Sequence, residues 1–224
     1  MTGLAGHDGA MTTPTDPRQL LARAITTARG VIAGVRPEHL TGPTPCPDMD
    51  VRTLLAHLVG VLDRVTALGA GEDPFVVIET VVPEDRWLAA WRESGDRAVA
   101  AWSADAILER PMALPWIQGS GAQVLSTYFS ELTVHSWDLA TATGQQPDWD
   151  DTVVIAALRA RHFLPAENRR ALFEAISAAR GLPEVGVPFA EAIPVGADAP
   201  AIDRLVAWNG RNPQLRIARY SRRV

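Results

Sequence analysis

The sequence predicts an all-α protein, on three observations. Apolar residues recur at helical spacing through several long segments, and proline and glycine fall between those segments. A single short stretch, Phe75 to Val82, carries a strand pattern.

Residues 1 to 15 are small and polar without periodicity and read as a disordered leader. Asp16 followed by Pro17 is a helix start, because the carboxylate caps orphan amides and proline is pre-set for the first turn. The first helix is expected to run to about Arg36, through Leu20, Leu21, Ala24, Ile25, Ala28, Val31 and Ile32, and to stop before Pro37. Asp50 can cap a second helix from Val51 to about Leu68, with a stripe of Val51, Leu54, Leu55, Leu58, Val61, Leu62 and Val65 stopped by Gly69 and Gly71. A third is expected from Pro83 to about Ser103, with Trp87, Leu88, Trp91, Ala98 and Trp102 inward. A fourth runs from about Ala122 to Thr143 and is closed by Gly144. Helical patterns continue at 151 to 162, 167 to 180 and 199 to 208.

Connections between the first four helices are a dozen residues or more, whereas antiparallel neighbours usually need about 2 to 8. They are therefore expected to cross over or to form sites. Two of them, Gly42 to Pro47 and Pro111 to Trp116, are stiffened by proline and placed to roof a pocket at one end of a bundle.

Composition narrows the function. A chain of 224 residues with 47% hydrophobic content can bury its own core, and its start lacks the basic-then-apolar pattern of an export signal. No apolar run suggests a membrane span, so a soluble cytoplasmic protein is expected. One cysteine, Cys46, excludes an internal disulfide framework and any cysteine-rich zinc site. A net charge of −5 argues against a nucleic-acid surface, and the arginines from Arg211 to Arg223 read as a solvated terminal run, with a basic docking strip as the alternative. All 21 basic residues are arginine, so that run adds charge without any lysine.

Glu131 and His135 stand four apart and stack a carboxylate and an imidazole on one helical face. They belong to a seam of Val124, Tyr128, Glu131, His135, Asp138 and Ala142, beside an apolar stripe of Leu125, Phe129, Leu132 and Leu139. Polar groups at the edge of a core need partners, since burying one unpaired costs about 1 to 3 kcal/mol. Either Glu131 pairs with a surface arginine, or the two residues share a cation. His57 lies at the margin of the second helix's stripe, as a hydrogen-bonded core histidine or as a third ligand. Two histidines and one carboxylate would leave a coordination position for water, as in catalytic zinc sites, and nickel or iron(II) suits the same donors. Asp138 is placed to orient an imidazole, Trp116 and Tyr128 to wall a pocket, and Cys46 is either an inert loop thiol or a reactive one beside the metal.

Two motifs carry a family resemblance. Thr44-Pro45-Cys46-Pro47 with Val51-Arg52-Thr53-Leu54-Leu55-Ala56-His57-Leu58, and Glu131 through Ala140, resemble the DinB-like metal-binding superfamily in the branch of mycothiol-dependent maleylpyruvate isomerase N-terminal domains. The resemblance spans about residues 16 to 145, and the stretch from Asp198 to Leu205 through Gly210-Arg211-Asn212-Pro213 resembles the end of uncharacterised single-domain members, with residues 146 to 224 expected as a helical extension of the same domain. It implies an antiparallel four-helix bundle with long crossovers and a divalent metal, usually zinc, on His57, Glu131 and His135. It also implies a small thiol such as mycothiol as cosubstrate and a small electrophile as its target. Two features depart from the pattern. Asp48-Met49-Asp50 stands where relatives often carry Gly-Trp-Thr, and the chain after Gln145 does not resemble the isomerase's own carboxy-terminal domain. The expected function is a metal-dependent thiol transferase or isomerase other than the maleylpyruvate enzyme, with a non-catalytic metal- or ligand-binding bundle as the alternative.

Overall fold

The computed structural model describes residues 15–47, 49–76, 81–181 and 189–214. Among these are eight α-helices: α1 (Pro17–Ala33), α2 (Val51–Ala70), α3 (Trp87–Ala101), α4 (Asp105–Glu109), α5 (Gly121–Thr143), α6 (Asp151–Ala160), α7 (Arg169–Arg180) and α8 (Ala201–Trp208). Two short strands, β1 (Pro111–Leu114) and β2 (Ile117–Ser120), form an antiparallel hairpin.

The helix ends follow local chemistry. Asp16 accepts from the Arg18 amide with Pro17 behind it, and Asp50 accepts from the Thr53 amide at 2.8 Å. The Ser120 hydroxyl accepts from the Gln123 amide while the Gln123 side chain accepts from the Ser120 amide, closing a capping box on α5. Gly71 ends α2 at φ 82° and Gly144 ends α5 at φ 69°, both left-handed. α2 runs through Gly69, the expected stop, because that glycine serves packing: a Cβ there would lie 2.8 Å from Ala101 of α3. α1 stops at Ala33 and α3 starts at Trp87, each a few residues inside its expected bounds. The Pro111 to Trp116 loop is instead β1 and the hairpin turn. Within the expected strand at 75 to 82, residues 77–80 lie outside those described, and Phe75, Val76, Val81 and Val82 belong to no strand. The expected leader also lies outside, apart from Thr15.

Four helices enclose the core in the ring order α1, α5, α2, α3. Their directions follow from side-chain links. Trp91 Nε1 donates to the Ile25 carbonyl and Arg18 reaches the Ser103 carbonyl, so α1 and α3 are antiparallel. Arg97 bonds Asp63 and Trp102 Nε1 donates to the Val65 carbonyl at 2.7 Å, so α2 and α3 run parallel. Gln145, just beyond α5, donates to the Val31 carbonyl near the end of α1, which makes those two parallel as well. His57 faces Glu131 while Arg110, bonded to the first residue of α5, caps Leu68, which makes α2 and α5 antiparallel. The bundle thus runs up, down, down, up, and two adjacent pairs are parallel where a simple antiparallel bundle has none. The long connections permit this, since parallel neighbours need a return along the bundle.

α6 packs on α5 and α1, and α8 packs on α6 and α5, adding a further helical layer. α2 is long and apolar enough to cross a membrane, but it is mostly buried inside the bundle, where Leu54, Leu58, Val61, Leu62 and Val65 have no exposed surface. Its apolarity is that of a core helix.

Leu62 has 0% exposure and Leu88 on α3 has 41%. Leu62→Ala should destabilise the protein by about 2 to 5 kcal/mol, and Leu88→Ala by about 0.5 kcal/mol or less, read from urea midpoints at constant slope.

Candidate metal centre

The antiparallel contact of α2 and α5 sets the site. Helical spacing puts Glu131 and His135 on one face of α5, and the register of α2 brings His57 opposite them across 74 residues of chain. His57 Nε2 lies 3.3 Å from Glu131 Oε1, and the His57 and His135 rings meet edge to face with centroids 4.8 Å apart. One ligand atom from each of the three residues falls within 4.8 Å of the others. Donors on a single cation stand about 3 to 4.5 Å apart for bonds near 2.0 to 2.2 Å, so small side-chain rotations suffice to gather them.

The hydrogen bonding indicates what these atoms lack. Among the described residues, Nε2 of His57 and Nε2 of His135 are both buried without a hydrogen-bond partner, although the first lies 3.3 Å from Glu131 Oε1. Leaving such groups unpaired is costly, and a cation would satisfy both. Burial would raise the Glu131 carboxyl, but the contact with His57 and the charges of His57, His135 and Arg64 hold it below its usual value. Burial pushes the His135 imidazole down despite its bond to Asp138, with the charges of His57 and Arg211 acting in the same direction. An ionised carboxylate and a neutral imidazole are the forms that bind a metal.

Exposure is uneven across the triad. His135 is completely enclosed, whereas the His57 and Glu131 side chains keep 14% and 19% of their surface. The His57 Nε2 atom is nevertheless buried.

Behind His135 stands a chain of buried partners. His135 Nδ1 lies 3.0 Å from Asp138 Oδ2, so Nδ1–H donates to the carboxylate and Nε2 is left with its lone pair toward the triad. Asp138 in turn accepts from Arg211, through Nε at 3.1 Å and Nη2 at 2.9 Å. Asp138 as an orienting carboxylate agrees with its position in the sequence. Arg211 corrects the expected solvated run: its side chain is 1% exposed, while residues 215–224 lie outside those described. Phe189 lies over the His135 ring at 5.4 Å, and the Arg211 guanidinium sits over Phe189 at 5.2 Å. The sequence marks Arg211 only as part of the terminal run and of the family-like ending, and its pairing with Asp138 across 73 residues leaves no periodic signal.

Cys46 is also buried, with a hydrogen bond to Arg211. Its sulfur, His135 and Asp138 form a second group of donors within 4.8 Å. That group already holds a cation, the Arg211 guanidinium, which disfavours a metal there. Of the two groups, His57, Glu131 and His135 are thus the better candidate for holding a cation.

Tyr128, one turn before Glu131, has a buried hydroxyl with no hydrogen-bond partner among the described residues, and burial together with the nearby Glu131 charge pushes its phenol upward. Trp116 occupies the hairpin turn and stacks edge to face on Phe75 at 5.9 Å.

Comparison with known proteins places the chain. The family model described as the mycothiol maleylpyruvate isomerase N-terminal domain matches residues 21–140. Two relatives from Mycobacterium tuberculosis, "Uncharacterized protein Rv0738" of strain H37Rv and "Uncharacterized protein MT0763" of strain CDC 1551, are each 28% identical over 196 residues, covering 88% of this chain and 98% of theirs. No solved structure matches significantly. With more than half of its length inside the family model, and the motifs of α2 and α5 within the matched region, the chain belongs to the mycothiol maleylpyruvate isomerase N-terminal domain family.

Proposed function

We propose that the protein binds one divalent metal, zinc by preference, through His57, Glu131 and His135, and uses it to activate a small thiol of the mycothiol type against a small electrophile. The reading rests chiefly on one observation: two buried imidazole nitrogens without hydrogen bonds converge with a carboxylate at cation spacing. Nickel or iron(II) suits the same donors, but zinc has no geometric demand of its own and tolerates the open position. When bound, the cation stabilises the thiolate over the thiol at neutral pH.

The remaining roles belong to the chain. Glu131 neutralises part of the metal's charge, and His135, fixed by Asp138, presents one nitrogen in one orientation. The Tyr128 hydroxyl, without a partner of its own, is available to donate to an anionic group of thiol or electrophile. Trp116 supplies an aromatic wall for the apolar part of a ligand, in company with Phe75. Maleylpyruvate itself is not proposed as the substrate.

Two measurements test the reading. Zinc at about 100 times its dissociation constant should stabilise the metal-free protein by about 2.7 kcal/mol, a rise of roughly 5 to 10 °C in Tm. His57→Ala and His135→Ala should each lose that shift, with far-UV circular dichroism unchanged. Stoichiometric zinc retained in both variants would remove the assignment.

Calorimetry of mycothiol in buffers of different ionisation enthalpy tests the thiol step. The zinc-loaded protein should bind more tightly than the metal-free form and release about one proton per thiol bound. Equal affinity with and without zinc would favour a non-catalytic metal-binding protein.

A further inference from the structure

We infer that the carboxy-terminal segment completes the metal centre, with Arg211 as a positioning residue that acts on the cation through Asp138 and His135. The inference rests on the metal reading above, but its test can fail on its own.

The termination of α8 delivers Arg211. Gly210 adopts φ 76°, its amide bonds the Ala207 carbonyl at 3.0 Å, and the Arg211 amide bonds the Val206 carbonyl at 3.0 Å. These two bonds form a Schellman motif, which turns the chain sharply after the helix. Because α8 packs on α6 and α5, the turn points the next side chain at α5. Gly210 is required twice over, by its positive φ and because a Cβ would lie 2.6 Å from the Ala190 carbonyl oxygen. That close approach brings residues 189 to 191 against the turn and sets Phe189 between the Arg211 guanidinium and the His135 ring.

Arg211 is then held on several sides. Nη1 donates to the Asn209 carbonyl at 2.7 Å, and Nε and Nη2 grip both oxygens of Asp138. A guanidinium donates through a rigid planar fork, so it fixes the plane of the carboxylate as well as its position. The carboxylate plane fixes the imidazole, whose Nδ1 reaches the same Oδ2 atom that Arg211 Nη2 holds. The orientation of His135 Nε2 toward His57 and Glu131 is therefore set from residue 211. That residue lies beyond the end of the family match at residue 140.

The experiment uses the full chain and five proteins: wild type, Arg211→Met, Arg211→Lys, Asp138→Asn and the Arg211→Met/Asp138→Asn double variant. Zinc affinity is measured by competition with a chromogenic chelator, and ligand geometry from the visible spectrum of the cobalt(II)-loaded protein. Arg211→Met should weaken zinc binding about 10- to 100-fold. It should also shift the cobalt bands while leaving helicity unchanged. The double variant should bind zinc no more weakly than Asp138→Asn alone, because the arginine works through the carboxylate. Arg211→Lys should recover only part of the affinity, since a point charge cannot hold both oxygens.

Wild-type affinity and spectrum in a folded Arg211→Met overturn the inference, and so do additive effects in the double variant. If Arg211→Met does not fold, Arg211→Lys is read in its place, and an unchanged spectrum and affinity there has the same force. Wild-type chain that takes up no zinc overturns the underlying metal reading, a failure separate from that of Arg211.

Discussion

The carboxylate of Asp138 has no exposed surface, and much of the structure around the centre answers to that fact. Moving an ionised carboxyl out of water costs several kcal/mol, which is recovered only when its oxygens are paired in good geometry. Here the pairing comes from two directions: His135 on the same helix and Arg211 from beyond α8. Burial opposes ionisation of Asp138, but the Arg211 charge outweighs it and holds the carboxyl below its usual value. The interaction joins the bundle to its carboxy-terminal layer with a direction that apolar packing alone does not specify. Buried ion pairs of this sort are weak devices for stability and better ones for placing atoms.

The topology supplies the other half of the arrangement. Because the ring order is α1, α5, α2, α3, the helix bearing His57 lies directly against the helix bearing Glu131 and His135. Gly69 on α2 permits the close approach of α3, and Gly121 permits the start of α5 to lie under α4, where a Cβ would meet the Ile107 carbonyl at 2.0 Å. These contacts fix how far α2 and α5 can slide. A one-turn slip would carry His57 about 5.4 Å along the axis, more than the spread of the ligand atoms.

Membership in the mycothiol maleylpyruvate isomerase N-terminal domain family accounts for the bundle and its two motifs. The mycobacterial relatives match this chain over 88% of its length and nearly the whole of theirs, so the similarity extends beyond the region matched by the family model. Within the bundle, His135 is fully enclosed, while the His57 and Glu131 side chains keep a minor part of their surface exposed.

Local pattern in the sequence determined the long helices and several of their ends. Asp16, Asp50, Gly71 and Gly144 act through neighbours within a few residues, and Glu131 and His135 share a face by helical spacing alone. The family motifs added His57 to that pair. The hairpin at 111 to 120 was missed because two prolines and a four-residue strand resemble a stiff loop. The parallel neighbours, the enclosure of His135, the pairing of Arg211 with Asp138 and the burial of Cys46 were decided by tertiary structure. Each joins residues far apart in the chain, and spacing along the sequence carries no record of which helix faces which. The arginine run at the end of the chain makes the point most plainly: composition marks it as solvated, and only the turn after α8 places its first member in the core.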